Sequence, residues 1–87
     1  MIVMGTSTWE SDIPKEPLVK QALRFSEDVK EKGIAQLRNI YIAHDQKLLW
    51  CSWETENLEA LQAAFDEMNK QSGLKSELMN VEDMGTG

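Results

Sequence analysis

The chain has 87 residues, with nine Lys and Arg against fifteen Asp and Glu, for a net charge of −6. That length supports one domain and leaves no room for a second. The acidic balance disfavours nucleic acid, whose phosphates draw on clustered Lys and Arg. Hydrophobic residues at 41% and charged residues at 28% are ordinary globular composition and argue against disorder.

No apolar run approaches the roughly 20 residues that span a bilayer, so no membrane partner is expected. Met1 to Met4 is apolar, but Gly5 to Ser11 is small and polar and no basic segment precedes it. A signal peptide is therefore not expected, and the cytoplasm is the default compartment. Cys51 stands alone, which excludes an intramolecular disulfide. A domain this small buries only about two-thirds of its unfolded surface, so pairing with another copy would add burial it lacks.

In chain order, Ile2 to Trp9 is rich in β-branched residues and is expected as a first strand, broken by Ser11, Asp12 and Pro14. Pro17 suits the first position of a helix, where its missing N–H costs nothing. Leu18, Ala22, Phe25 and Val29 then recur at helical spacing, with Leu23 widening the stripe. Lys15, Lys20, Arg24, Lys30 and Lys32 alternate with acids along this helix as a solvated face. Gly33 falls where a helix C-terminal glycine belongs. Two strand-like runs follow, Ile34 to His44 and Lys47 to Glu54. Glu56 and Glu59 mark the start of a second helix, Leu58, Leu61, Phe65 and Met68 form its stripe, and Gly73 ends it. Leu74 to Val81 gives a last strand. Residues 1–84 are expected to form the domain and 85–87 a flexible tail.

This β-α-β-β-α-β order is the signature of a ferredoxin-like α+β sandwich: a four-stranded antiparallel sheet with two helices on one face. If Asp45-Gln46 is the turn between the middle strands, His44 faces Lys47, Ile42 faces Leu49, Ile40 faces Cys51 and Arg38 faces Trp53. Tyr41 then faces Trp50 on the other surface, with Asn39 across from Ser52 and Leu37 from Glu54. A four-residue loop keeps this pairing. Both surfaces of the hairpin carry apolar groups, yet two helices cover only one. Leu37, Tyr41, Leu48 and Trp50 need a second cover, and the expected one is the same helix-free sheet face of a second subunit, in a homodimer.

No catalytic motif is present: no glycine-rich phosphate loop, no His-Glu-x-x-His and no Cys-x-x-Cys. His44, beside Asp45, is either a metal ligand or proton carrier, or an exposed turn histidine. Cys51 lies mid-strand and is expected to pack as a small hydrophobe. Trp53 is expected beside Arg38 as a cation–π pair. Trp9, Tyr41 and Trp50 either line a site for a small hydrophobic ligand or fill the sheet and dimer core. Glu54, at a strand end, is a candidate base or cation ligand; the alternative is an acid that favours the start of the second helix. Glu77 and Asp83 add acidity without ligand spacing.

The segment Gly33-Ile-Ala-Gln-Leu-Arg-Asn-Ile-Tyr-Ile-Ala-His-Asp, then Lys47-Leu-Leu-Trp-Cys-Ser-Trp-Glu-Thr, then Leu58-Glu-Ala-Leu, resembles a family of small uncharacterised proteins, some described as nickel-responsive. Tyr41, Cys51, Trp53 and Glu54 carry the resemblance. It implies a ferredoxin-like domain that pairs into a dimeric α/β barrel. With one histidine and one cysteine per chain, a nickel site would be shared across a dimer or would use carboxylates. No cofactor and no metal are expected on the residues themselves. The favoured expectation is a noncatalytic or ligand-binding dimer. The alternatives are a cofactor-free monooxygenase or isomerase, using Glu54 or His44 with Trp9, Tyr41 and Trp50 around the substrate, and a metal-responsive protein.

Overall fold

The elements are β1 (Ile2–Thr8), α1 (Lys15–Glu31), β2 (Gln36–Ala43), β3 (Leu48–Glu54), α2 (Leu58–Ser72) and β4 (Lys75–Val81), with a 3₁₀ turn at His44–Gln46. The structure, a computed structural model, describes residues 1–82, 84 and 85. Of the tail expected over 85–87, Thr86 and Gly87 lie outside the described residues, as does Asp83. The four strands form one antiparallel sheet in the order β2-β3-β1-β4. With both helices packed on one side, this is an α+β fold of the ferredoxin-like kind.

Strand alternation decides what lies inside. Val3, Gly5 and Ser7 of β1 and Leu49, Cys51 and Trp53 of β3 are buried, while their neighbours are half-buried or exposed. Leu18 and Val29 of α1 and Leu61 and Phe65 of α2 close over that surface. Trp53 joins the layers: its ring meets Phe25 at 5.8 Å and Phe65 at 5.7 Å, both edge-on. Buried Ser7 is satisfied by the Ser76 hydroxyl at 2.7 Å, and Ser76 donates onward to Asn69 Oδ1 at 3.1 Å.

α1 begins at Lys15, so Pro17 takes the third helical position and not the first. Nothing is lost, because the first four N–H groups of a helix have no partner within it. Its other end closes as a Schellman motif. Gly33, at φ 71°, donates to the Lys30 carbonyl, and Ile34 donates to the Val29 carbonyl. α2 is capped by Asn57, whose Oδ1 accepts from the Ala60 N–H at 3.0 Å, and it ends at Gly73 with φ 76°. Buried Thr55 ties the two helix–strand junctions together: its hydroxyl donates to the Ile34 carbonyl at 2.6 Å and accepts from the Asn57 N–H at 3.0 Å.

The central hairpin keeps the expected register over Ile42–Leu49, Tyr41–Trp50, Ile40–Cys51 and Asn39–Ser52. Beyond Asn39 it departs. A bulge between Leu37 and Asn39 leaves Arg38 unpaired, so Leu37 opposes Trp53 and Gln36 opposes Glu54. The extra residue turns Leu37 from the open face to the helix side, where it packs against the core. Trp53 is 2% exposed, while the Arg38 side chain lies 4.0 Å from Glu54 Oε2. The expected Arg38–Trp53 pairing is therefore replaced by an Arg38–Glu54 contact. His44 also leaves the strand, and Lys47 closes the turn with φ 52°.

Candidate functional site

The sheet surface away from the helices is assembled row by row from the strand pairings. Tyr41 pairs with Trp50, Trp50 with Thr6 and Thr6 with Glu77. The next row runs Asn39, Ser52, Met4 and Met79, and the outer rows bring in Ala43, Leu48 and Thr8, then Glu54, Ile2 and Val81. Tyr41 and Met79 are each 62% exposed and Trp50 37%. Tyr41, Trp50, Met4 and Met79 thus give a helix-free face apolar groups that the single chain leaves open, interleaved with Thr6, Asn39 and Ser52.

Charge lies around this field and not within it. Glu54 and Glu77 supply two carboxylates, and Lys75, Arg38 and the N-terminal amine three cations, so the face escapes the acidity of a chain of −6. Glu54 leaves the sheet on the same face as Trp50, about half exposed. The N-terminal amine stands 3.4 Å from its Oε1 and Arg38 4.0 Å from its Oε2. Water and two cations surround this carboxylate, not apolar walls.

Trp9 is not brought to Tyr41 and Trp50. It continues the inward alternation of Val3, Gly5 and Ser7, is 5% exposed and belongs to the core on the helix side. There its ring lies 6.3 Å from that of His44. His44 is half-buried, and its Nε2 meets the Ile13 carbonyl at 2.6 Å. Because a carbonyl only accepts, Nε2 carries the proton. Lys47 adds a second tie, donating to the Glu10 carbonyl at 2.7 Å beside Asp12 at 3.4 Å. Together these side chains fasten the loop between β1 and α1 to the hairpin turn.

His44 and Glu54 stand at opposite ends of β3, a separation of roughly 20 Å at strand rise. They cannot act on one small substrate within one chain. Among the described residues no three His, Cys, Asp or Glu side chains gather where they would hold a metal ion. The space enclosed between sheet and helices is a cavity of about 30 Å³ bounded by Trp9, Leu18, Cys51, Trp53 and Phe65. That is room for a water molecule or two and too small for an organic ligand.

Cys51 lies in that interior, 3% exposed, with its thiol pushed above its ordinary range. Burial is the main cause, opposed by hydrogen bonds from the Trp53 indole N–H at 3.0 Å and to the Gly5 carbonyl at 3.6 Å. A thiol so placed is protonated and inaccessible, which removes it as a nucleophile.

No family model, curated protein or solved structure matches the chain. No helix among the described residues is long and apolar enough to cross a membrane. Met4 and Met79 belong to the open face and were not singled out from the sequence. Their signal was parity: Val3 and Gly5 facing in require Ile2 and Met4 to face out.

Proposed function

We propose that the protein is a homodimeric binding module, in which two copies pair their open sheet faces and Tyr41 and Trp50 hold a small apolar ligand at the seam. The observation that carries this reading is the uncovered field around the Tyr41–Trp50 pair. A second copy fits it by charge. Two chains of −6 repel wherever their acidic surfaces meet, and this face sets two acids against three cations at its rim. Like-with-like contact through it therefore adds little repulsion. Pairing of this kind agrees with the dimeric α/β barrel implied by the family resemblance of residues 33–61.

A binding role is better supported than catalysis, because binding needs an apolar seat alone whereas catalysis needs convergent polar groups inside it. His44 and Glu54 do not converge. A nickel role has less support, since one ring nitrogen of His44 is engaged by Ile13 and one histidine supplies too few ligands for a defined site. The test is titration with N-phenyl-1-naphthylamine, a flat neutral dye. Saturable binding that quenches tryptophan emission and is lost in Tyr41→Ser and in Trp50→Ser is expected. Equal dye binding by wild type and both variants would contradict the ligand seat.

A further inference from the structure

Among the described residues no strand pairs with the outer edge of β4. Its seven residues pair with β1 without interruption, so every second N–H and C=O from Lys75 to Val81 points away from the sheet. The opposite edge is different, because the bulge at Arg38 bends β2. Bulges, prolines and charged side chains are among the devices that keep edge strands from pairing with other chains. β4 has no bulge and no proline, and its two charges, Lys75 and Glu77, are of opposite sign.

The charges on β4 select a partner and a register. Residues opposed across an antiparallel pair share one sheet face, so only every second register is allowed when β4 meets a copy of itself. An axis at Glu77 sets two carboxylates against each other. An axis at Leu78 puts Glu77 across from the partner's Met79 and Lys75 across from the partner's Val81. An axis at Ser76 puts Lys75 across from the partner's Glu77 twice over, and Leu74 across from the partner's Leu78. Among the described residues neither Lys75 nor Glu77 has an ion-pair partner within the chain.

We propose that β4 pairs antiparallel with β4 of a second copy about a two-fold axis at Ser76, so that Lys75 and the partner's Glu77 form two reciprocal ion pairs. This contact is made at the strand edge and not on the sheet face, although Lys75 and Glu77 also stand at the rim of that face. It extends the sheet from four strands to eight across the new edge. Where the two-fold axes of the two contacts intersect at right angles, together they give a closed assembly of four chains.

Light scattering on wild type, Glu77→Lys and the swap Lys75→Glu/Glu77→Lys tests it, with circular dichroism confirming that each is folded. Lys75 and Glu77 are exposed, so all three are expected to fold. Glu77→Lys sets lysines against each other and halves the mass at concentrations where wild type is associated; the swap restores it. The same mass for wild type and Glu77→Lys over the whole concentration range overturns the proposal, as does a swap that stays dissociated. Trp50→Glu separates the two contacts. If it lowers the mass and Glu77→Lys lowers it again, both contacts stand; if it leaves the wild-type mass unchanged and Glu77→Lys then dissolves the assembly, the edge stands and the face pairing fails.

Discussion

The Trp53 indole donates to Cys51 Sγ at 3.0 Å, and this contact fixes what the facing strand can carry. Gly5 lies directly across from Cys51. A Cβ at Gly5 would come within 3.0 Å of Cys51 Sγ and 3.0 Å of Leu78 Cδ2. Leu78 Cδ2 ends a flexible side chain and can retreat, but the sulfur is pinned between the Gly5 carbonyl and the indole. Gly5→Ala should therefore destabilise the fold by about 1–3 kcal/mol, the usual cost of overpacking. Urea denaturation measures it, and the loss should shrink when Cys51→Ala is combined with it.

The same thiol sets a pH dependence. Its pKa is raised in the fold, chiefly by burial. Below the ordinary thiol value, about 8.5, both folded and unfolded chains keep the proton and the group adds no slope. Above it the unfolded chain ionises while the folded one does not, so stability falls as pH rises. Wild type should lose more stability than Cys51→Ala between about pH 8 and 10. At neutral pH the native thiol should resist a disulfide reagent that labels it at once in denaturant.

His44→Ala removes the tie to the Ile13 carbonyl and the ring beside Trp9. A loss of about 1–2 kcal/mol is expected, given one hydrogen bond and some packing. Hydrogen exchange should localise it: amides over residues 9–14 exchange faster while β3 keeps its protection. Unchanged exchange in that loop would mean the tie carries no weight.

At the start of α2, Asn57→Ala should cost about 1 kcal/mol by removing the acceptor of the Ala60 N–H. Asn57→Asp keeps an acceptor at the helix N-terminus and should be close to neutral. Thermal melts of the two variants separate capping from a general intolerance at this position.

The fold was legible because its signals are local and repeated. Helical stripes, terminal glycines at Gly33 and Gly73, and alternation in the strands each point to the same element order. The register held where alternation is unbroken and failed at Arg38, since one extra residue in a strand leaves no compositional mark. The partners of His44 were hidden for another reason: its bond to Ile13 crosses 31 residues of sequence and depends on a loop path that no periodicity encodes. Trp9 was readable in principle. It shares parity with Val3, Gly5 and Ser7, and that places it with the core and not with Tyr41 and Trp50. Asn57 was likewise readable as a cap ahead of Leu58, though the neighbouring acids drew the eye first.

Pairing through the open sheet face is the central claim, and the mass of the protein across a concentration series tests it most directly. Trp50→Glu places a carboxylate in the middle of the proposed contact, where desolvation without a partner is costly. The ring is 37% exposed in the single chain, so the substitution should leave the fold intact. Light scattering from low to high micromolar should give at least a dimer for wild type and a smaller, folded species for Trp50→Glu. A wild-type protein that stays monomeric throughout the series would contradict the account.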